Sequence, residues 1–224
     1  MSAPLSVVIP VLNSAEHVGP AVARVLPHAG EIIVVDGGST DGTCEIAQKS
    51  GAKLVLAPKG RGRQLAAGGE AAAGDWLLFL HVDTKLSEGW ADEAGAFIAD
   101  RANRERAAYC RLAFDDPGRR AKFVASVANW RARWLGLPYG DQGLLVSRTL
   151  YDAVGGFDAA PLMEDVAIAQ RIGRRRLTAL QSLATTSAVR YRHDGWARRV
   201  ARNGFCLSLF MIGVSPERIA RLYG

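Results

Sequence analysis

An apolar run ends abruptly in residues that could bind a metal ion. Residues 76–82 are predicted to form a buried strand, and the sequence LLFLHVDT places His81 and Asp83 at its carboxyl end. Strand side chains alternate with period two, so these two are expected on the same side. Mg²⁺ and Mn²⁺ prefer oxygen ligands and commonly complete their shell with substrate phosphates. Asp83 is therefore the best candidate metal ligand; the plainer interpretation is that it caps the next helix.

A second candidate loop lies earlier in the chain, in the sequence VVDGGSTDGT at residues 34–43. Asp36 ends a predicted strand, and the two glycines after it allow a tight turn. This placement suits a carboxylate that accepts hydrogen bonds from a nucleotide base or ribose. The structural alternative is a capped turn in which Ser39 or Asp41 only begins the next helix.

The sequence KGRGRQ, residues 59–64, alternates glycine with cations just before a predicted Ala-rich helix. A helix amino end and guanidinium groups both favour an anion, so Arg61 and Arg63 are candidate phosphate contacts. The segment lacks the Gly-Lys-Ser/Thr ending of a phosphate-binding P-loop, which excludes that motif.

Two further acidic segments could act on an acceptor. Asp141 and Gln142 precede a short predicted strand, and Glu164 and Asp165 stand at a predicted helix start. Adjacent carboxylates at a helix amino end usually only complement the helix dipole. Alternatively, one of them removes a proton from an acceptor hydroxyl, provided that it lies within hydrogen-bond reach.

Alternating strands and helices are predicted to position these residues. The strands are expected at residues 5–11, 31–36, 53–56 and 76–82, with helices at 16–26, 43–50 and 64–73 between them. This order is typical of a parallel sheet covered by helices on both faces. Ligands of such sheets bind at the carboxyl ends of the strands, where the loops at residues 10–13, 36–39 and 81–84 should converge.

The second half is less regular. Strands are predicted near residues 107–114 and 143–147, and helices at 119–135, 148–154, 164–172 and 196–212. No internal repeat or linker interrupts the pattern. We therefore expect one domain over residues 1–224, with a nucleotide-binding half at about 1–85 and an acceptor or catalytic half at about 86–224.

Composition narrows the class of protein. With 224 residues, 49% hydrophobic and 22% charged, the chain can bury one core of ordinary globular type. The formal charge of +6 is concentrated at residues 59–63 and 171–202. This fits an anionic partner, which could be a phosphorylated small molecule, nucleic acid or acidic lipid, and it fits a solvated basic face nearly as well. The three cysteines lack the paired spacing of a disulfide framework or a zinc site.

The sequence also bears on location. Residues 1–10 lack the basic start and cleavage signal of a secretory peptide, and no apolar run is long enough to cross a membrane, so a cytoplasmic protein is expected. The apolar residues 205–214 follow several arginines. They fit either a core helix or a weak peripheral contact with the inner membrane face.

The ordered set of segments resembles family two glycosyltransferases, a large group of mostly inverting enzymes with the GT-A fold. The likeness covers residues 5–171 and is carried in order by PVLN, VVDGGSTDGT, GRGRQLAAGGEAAAGDWLLFLHVDT, GDQGLLVSR, VGGFD and MEDVAIAQR. The ending SPERIARLYG resembles a small bacterial subgroup of soluble members. The resemblance implies a three-layer α/β/α sandwich with a mostly parallel central sheet.

The resemblance also implies roles for individual residues. The donor would be a nucleotide-diphosphate sugar, UDP-linked by family habit, rather than nucleic acid, and the cofactor a divalent cation (Mn or Mg). Asp83 matches the last carboxylate of the DxD motif, and Asp165 matches the catalytic base, with Glu164 orienting it. The nucleotide pocket would include Pro10, Asn13, Asp36 and Gly38. Beyond the resemblance, Arg61 and Arg63 are candidates to close over the phosphates. His81 could contact the ribose, simply pack or bind the metal, and packing or a hydrogen bond is favoured over metal binding. Judged by residue type, the candidates for acceptor or phosphate contacts are Asp141, Gln142, Arg190, Arg192 and His193, although arginine-rich helix surfaces are usually solvated. Trp130, Trp134 and Tyr139 could line an acceptor cleft or, like most aromatic residues, belong to the core.

Two positions depart from the family pattern. The family usually has a second acidic residue where this chain has Gly37, and its DxD reads His81-Val82-Asp83 here. The departures keep open a non-catalytic protein that binds a sugar nucleotide or a membrane surface. A nucleotidyltransferase fits less well, because PVLNSAEH lacks that class's glycine-rich signature with lysine. The sugar, the base, the acceptor and the oligomeric state are not determined by the sequence.

Overall fold

The computed structural model describes residues 5–223 and shows ten α-helices and eight strands within that range. Residues 1–4, the start of the segment considered for a secretory peptide, lie outside the described residues, as does residue 224. Among the described residues, no helix is long and apolar enough to cross a membrane. The strands are β1 (Leu5–Val11), β2 (Glu31–Asp36), β3 (Lys53–Leu56), β4 (Trp76–Phe79), β5 (Lys85–Leu86), β6 (Ala107–Phe114), β7 (Leu144–Ser147) and β8 (Leu177–Thr186).

The helices separate these strands for most of the chain. They are α1 (Ala15–Val25), α2 (Thr43–Lys49), α3 (Arg61–Ala71), α4 (Trp90–Ala99), α5 (Arg119–Leu135), α6 (Arg148–Ala153), α7 (Glu164–Ile172), α8 (Val189–Asp194), α9 (Trp196–Met211) and α10 (Pro216–Tyr223). Short 3₁₀ turns occupy Leu26–His28, Arg101–Glu105, Gly140–Gln142 and Arg174–Arg176.

All eight strands form one sheet in the order β3-β2-β1-β4-β7-β6-β8-β5. β3, β2, β1 and β4 are parallel, β7 is antiparallel to both neighbours, β6 and β8 are parallel, and β5 is antiparallel. The sheet is therefore mostly parallel, which confirms the predicted fold class. The predicted strand and helix order of the first half is also confirmed.

Strand alternation divides the core between the two faces of the sheet. Val7 and Ile9 of β1 pack with α1 and α4, whereas Val8 packs on the other face with residues of α3, α6 and α7. These strand residues are fully buried. Burying a side chain of this size stabilises the fold by about 1.5–3 kcal/mol relative to exposure. Three layers result, helices on sheet on helices, and the loops at the strand ends are left to form a site.

The prediction for the end of β4 was wrong. The strand ends at Phe79, because the ladder with β7 begins only at Leu144, opposite Phe79. The chain then turns, with the Thr84 N–H donating to the His81 carbonyl at 3.1 Å. His81 and Asp83 thus lie on a turn, where the alternation of a strand does not apply.

The third helix also differs from its prediction. α3 begins at Arg61, three residues earlier than expected, so Arg61 and Arg63 lie in its first turn rather than before it. Gly62 lies in the same turn and leaves no room for a side chain. A Cβ there would lie 2.3 Å from the Asp158 carbonyl oxygen and 2.4 Å from that of Ala160. The backbone of residues 158–160 therefore packs directly on the start of α3. Strand β8 and helix α4 had no counterpart in the prediction.

Candidate functional site

The loops after β1 and β2 are tied together by side chains. Asn13 donates its N–H to Ser39 Oγ at 2.8 Å, and its Oδ1 accepts from the Thr40 N–H at 2.9 Å. Asp41 accepts from the Ala15 N–H at 3.1 Å, across the same gap. Asn13 adopts a left-handed φ of 47°, which is uncommon for a residue other than glycine. The two loops therefore form one preformed edge, with Pro10 beneath it at the end of β1.

Asp36 is the centre of the second loop. Only 2% of the residue is exposed, and its carboxylate accepts from the backbone N–H groups of Gly38 and Ser39 at 2.8 and 2.9 Å and from the Ser39 hydroxyl. Burial raises the pKa of Asp36, but the hydrogen bonds from Ser39 and Gly38 outweigh it and hold the pKa below its usual value. Asp36 thus shapes the loop, and the exposed Gly38 is the part that a ligand can reach.

Gln64 supports this edge from below, a role that the sequence did not indicate. It is buried in α3, and its Nε2 donates to the Val11 and Val35 carbonyls at 2.7 and 2.9 Å. A Cβ added to Gly37 would lie 3.1 Å from the Cδ, Nε2 and Oε1 atoms of this amide, which is tighter than an ordinary van der Waals contact. The Gln64 amide therefore packs closely against Gly37, the residue that follows Asp36.

The turn after β4 carries His81 and Asp83. His81 Nε2 is buried against Gly140 and finds no hydrogen-bond partner among residues 5–223. Burial, together with the positive charges of Arg61 and Arg190, holds the pKa of His81 well below its usual value, so the imidazole is neutral. Asp83 is half-buried beside it.

The side chains around Asp83 provide few ligands for a metal ion. The described residues hold no group of three or more His, Cys, Asp or Glu side chains arranged to bind a metal. A carboxylate that stands alone fits Mg²⁺ or Mn²⁺ only when phosphate and water supply the other oxygens. Arg61, in the first turn of α3, lies near the same region, since its charge acts on His81. The residues present thus fit a cation bound jointly with an anionic ligand.

The Gly140–Gln142 turn brings a further carboxyl into the site. Burial raises the pKa of Asp141 to about 6, with Arg131 opposing the shift and Asp165 adding to it. Its Oδ1 is buried and has no hydrogen-bond partner within the described part of the chain. Asp141 is therefore a buried acid whose proton or lone pair is available to a ligand.

Gln142 has a different environment. It is fully buried; its Nε2 donates to the Cys110 carbonyl at 3.1 Å and to Asn129 Oδ1 at 3.3 Å, and its Oε1 accepts from the Tyr139 N–H at 3.2 Å. These bonds occupy the amide within the fold. Gln142 therefore braces the turn that presents Asp141.

Asp165 is held in a fixed orientation. Its Oδ2 accepts from the Gly140 N–H and its Oδ1 from the Val166 N–H, both at 2.8 Å. The residue before the pair, Met163, adopts a left-handed φ of 63°. Strain of this kind at a residue with a side chain costs about 1–3 kcal/mol and concentrates at functional sites. The carboxylate is thus aimed by a strained helix start and by the turn that carries Asp141.

Glu164, the residue before Asp165, is buried in the protein and not exposed to solvent. It is 2% exposed, and burial raises its pKa to about 7, with the charge of Asp165 adding to the rise and Arg61 opposing it. Arg61 Nε lies 3.9 Å from Glu164 Oε1. Glu164 therefore connects the base candidate to the cationic start of α3.

The remaining candidates are more distant from this centre. Arg192 pairs with Asp115 and Asp116 at 4.0 and 3.4 Å, and His193 is 87% exposed in its side chain and contacts Asp194. Their assignment to the acceptor or phosphate stays a prediction. Arg190, also on α8, has a charge that acts on His81, which places it near the turn after β4. Arg63 is exposed in the first turn of α3.

Sequence reasoning missed Arg131, which lies on the inner side of the site. Its guanidinium stacks 3.3 Å from the centre of the Tyr139 ring, its Nε donates to the Leu137 carbonyl at 2.9 Å, and its charge acts on Asp141. Nothing distinguishes Arg131 in the sequence from the other cations of residues 119–133. Tyr139 is thus held by Arg131, while Trp130 and Trp134 are exposed.

Comparison with known proteins agrees with this architecture. The model of a family described as glycosyl transferase family 2 matches residues 6–155. An uncharacterized glycosyltransferase of Rickettsia conorii is 35% identical over 103 residues, covering 46% of this chain and 36% of the relative. A PGL/p-HBAD biosynthesis glycosyltransferase of Mycobacterium bovis is 39% identical over 100 residues, covering 39% of each protein. The matches thus span well under half of those relatives' length.

Solved structures show the same fold. The crystal structure of mannosyl-3-phosphoglycerate synthase from Rubrobacter xylanophilus superposes with a TM-score of 0.60 at 18% identity, covering 94% of this chain and 75% of that one. Glucosyl-3-phosphoglycerate synthase from Mycobacterium tuberculosis, in complex with Mn²⁺, UDP and glucosyl-3-phosphoglycerate, superposes with a TM-score of 0.56 at 20% identity, covering 83% of this chain and 70% of that one. At this identity the likeness establishes the fold alone.

Proposed function

The chain belongs to glycosyl transferase family 2, whose model matches residues 6–155, and on that premise we propose that it transfers a sugar from a nucleotide-diphosphate sugar to an acceptor hydroxyl. The observation that carries the proposal is the fixed carboxylate of Asp165, aimed by the Gly140 and Val166 N–H groups into the region shared with Asp83 and Asp141. A carboxylate so oriented suits a general base, which must lie within hydrogen-bond reach of the proton that it removes.

The reaction that we propose is a single in-line displacement. Asp165 takes the proton of the acceptor hydroxyl, and the acceptor oxygen bonds to the anomeric carbon. The bond from that carbon to the diphosphate oxygen breaks, and the electron pair leaves with the nucleoside diphosphate. Attack opposite to the leaving group inverts the anomeric configuration. Glu164 acts as a positioning residue, because it is buried behind Asp165 and contacts Arg61.

The leaving diphosphate needs positive charge nearby. We propose that Asp83 holds a divalent cation, Mn²⁺ or Mg²⁺, which neutralises charge on the diphosphate oxygens. The proposal is supported by the Mn²⁺ and UDP complex of the M. tuberculosis structure. Arg61 and Arg63 would bind the same phosphates from the amino end of α3. His81 is neutral and is assigned to a nucleotide contact rather than to the metal.

The nucleoside would lie on the edge formed by the first two loops. Asn13 and Gly38 are exposed there and Pro10 is partly exposed, while Asp36 fixes the loop conformation through its own hydrogen bonds. Because the Asp36 carboxylate already accepts hydrogen bonds from its own loop, it is poorly placed to bind a base directly. Base selection would therefore rest on backbone groups of the second loop, with Asp36 acting through them.

Calorimetric titration of UDP and of GDP, with Mn²⁺ present and then chelated, tests the donor class. One nucleotide should bind, and only with the metal. Asp83→Ala should weaken that binding by at least about 10- to 100-fold, the loss typical of removing even an outer partner of a metal site. Asp92→Ala, an exposed carboxylate in the first turn of α4, is the matched control and should bind normally.

A second assay separates an enzyme from a non-catalytic binder of sugar nucleotides, an alternative that the incomplete DxD motif favours. An active transferase should slowly hydrolyse its donor without acceptor, whereas a binding protein should leave it intact. Binding of nucleotide without any hydrolysis or transfer would overturn the proposed activity. Absence of nucleotide binding would overturn the donor as well.

A peripheral contact with the membrane was the second interpretation of residues 205–214. The structure uses much of that segment internally: Cys206 is buried, and Leu207, Leu209 and Phe210 pack with Leu137 and other core residues. Phe205, Met211 and Ile212 remain exposed. The segment thus combines one buried and several partly buried residues with exposed apolar ones, and the peripheral membrane contact of residues 205–214 stays a prediction.

A further inference from the structure

Helix α5 carries an exposed apolar stripe. Phe123, Val127, Trp130 and Trp134 are 70%, 44%, 56% and 52% exposed. Their spacing of four, three and four residues places them on one face of the helix. The adjoining Leu135 is also exposed. We refer to the four residues as the α5 stripe.

The inner face of α5 makes the stripe unusual. The residues that α5 buries against the protein are Ala121, Ala125, Ala128 and Ala132. Large apolar side chains usually point inward because burying them removes the most surface from water. In α5 the small residues point inward and the aromatic ones outward. Contiguous exposed apolar surface of this kind marks an interaction site.

The charges around the stripe restrict the partner. α5 contains no carboxylate between residues 119 and 135 and exposes four cations, Arg119, Arg120, Lys122 and Arg133. Its fifth cation, Arg131, is turned toward Tyr139. The neighbouring helix α9 adds the exposed Arg198 and Phe205, while its Arg199 and Arg202 pair with Asp194 at 2.8 and 3.3 Å. An apolar stripe flanked by basic residues is complementary to a surface that carries negative charge and can also take up apolar side chains.

We propose that the α5 stripe docks the protein on the surface of an anionic phospholipid bilayer. Trp130 and Trp134 would lie at the level of the headgroups, where an amphipathic indole ring is favoured, and Phe123 and Val127 would reach the acyl boundary. Arg119, Arg120 and Lys122 would contact the lipid phosphates. A second copy is a poorer occupant, since a symmetric contact through this stripe would place the same cations against each other.

The docked surface leads directly to the site. α5 ends at Gly136, and the chain continues through Tyr139 into the Gly140–Gln142 turn that carries Asp141. Docking through α5 would therefore hold this side of the site near the membrane. The inference does not rest on the proposed transferase activity, because the stripe and its charges are observed independently.

Co-sedimentation with vesicles tests the proposal. The full chain should bind vesicles of phosphatidylcholine with phosphatidylglycerol, but only weakly those of phosphatidylcholine alone. The triple variant Arg119→Gln, Arg120→Gln, Lys122→Gln should bind on the order of 100-fold more weakly, at about a factor of five per lost cation. Trp130→Ser with Trp134→Ser should lose roughly tenfold or more, since their indoles supply apolar contact. Leu26→Ser with Leu56→Ser removes exposed apolar residues outside α5 and should bind normally.

Tryptophan fluorescence gives a second test of docking through the α5 stripe. Lipids brominated in the acyl chain should quench the tryptophan fluorescence of the wild type and not that of the double tryptophan variant, in which Trp76, Trp90 and Trp196 remain. Absence of binding to anionic vesicles at low salt would overturn the proposal. So would a wild-type dimer that the tryptophan substitutions convert to monomer. Nucleotide titration of the same variants is the separate readout of the donor site, and it should be unchanged.

Discussion

Two sides of the site treat their polar groups in opposite ways. On the side of β1 and β2, Asn13, Asp36 and Asp41 all receive hydrogen bonds from the neighbouring loop or from their own. On the side of the Gly140–Gln142 turn, Asp141 has a buried oxygen without a hydrogen-bond partner in the described chain, and burial raises the pKa of both Asp141 and Glu164. The carboxylates of the first side are thus compensated by hydrogen bonds. On the second side Asp165 and Gln142 are hydrogen-bonded as well, whereas the burial of Asp141 and Glu164 is not compensated.

This difference suits the first side to binding a ligand and the second side to proton transfer. A satisfied, cross-linked edge needs little reorganisation to receive a ligand, which suits a binding surface. Buried acids with raised pKa and a strained residue such as Met163 cost folding free energy, and they concentrate where proton transfer occurs. We therefore expect substitutions on the first side to weaken the fold and its ligand binding, and substitution of Asp165 on the second side to act on turnover.

The largest expected effect is that of Asp165→Asn. The amide keeps the size of the carboxyl but cannot take a proton, so turnover should fall by about 10²- to 10⁴-fold, the range typical of general-base catalysis. Nucleotide binding should change little. Transfer rates and calorimetric binding of the same preparation measure both. Asp152→Asn, at an exposed carboxylate on α6, is the control. Full turnover in the Asp165 variant would show that another group is the base.

The next effect tests the satisfied side. Asp36→Ala leaves the N–H groups of Gly38 and Ser39 without their acceptor, and a buried group that loses its partner costs about 1–3 kcal/mol. The free energy of unfolding, measured in urea, should fall by that amount or more. Nucleotide affinity should fall as well, because the loop loses its shape. A variant of normal stability with weak nucleotide binding would instead indicate direct contact between Asp36 and the base.

The sequence predicted the framework well because its signals are local. Apolar runs such as Ile32–Val35 and turn residues such as Gly38 specify strands and their ends over a few residues. Strand β8 was missed because its buried positions alternate Leu180, Ser182, Ala184 and Thr186, which lack the apolar contrast of an ordinary half-buried strand. The end of β4 was misjudged because it depends on where β7 begins, a pairing that is remote in sequence.

The candidate site divides in the same way. Asp83, Asp141 and Asp165 stand at predicted strand or helix ends and could be named from the sequence. The supporting roles of Gln64 and Arg131 depend on contacts with distant carbonyls or rings, and their sequence neighbours give no indication of them. That α5 turns its alanines inward is likewise visible only once its buried face is known.

The smallest expected effect concerns Glu164→Gln and its dependence on pH. Burial raises the pKa of Glu164 in the folded protein to about 7, above its ordinary value of 4.5. The folded state therefore binds more protons than the unfolded state between these values, and the carboxyl destabilises the fold increasingly as the pH rises through this window. Below it, both states are protonated and the carboxyl has no such effect.

Glutamine has no charge to bury, so Glu164→Gln should gain stability relative to the wild type as the pH rises from about 4.5 to 7.5, by roughly 1–3 kcal/mol. Loss of the 3.9 Å contact with the half-exposed Arg61 offsets little of this gain. Urea unfolding of both proteins at several pH values measures the difference. Glu88→Gln, at an exposed position, should give a curve parallel to the wild type. Parallel curves for Glu164→Gln as well would mean that its carboxyl is solvated, and the contrast between the two sides of the site would then rest on Asp141 alone.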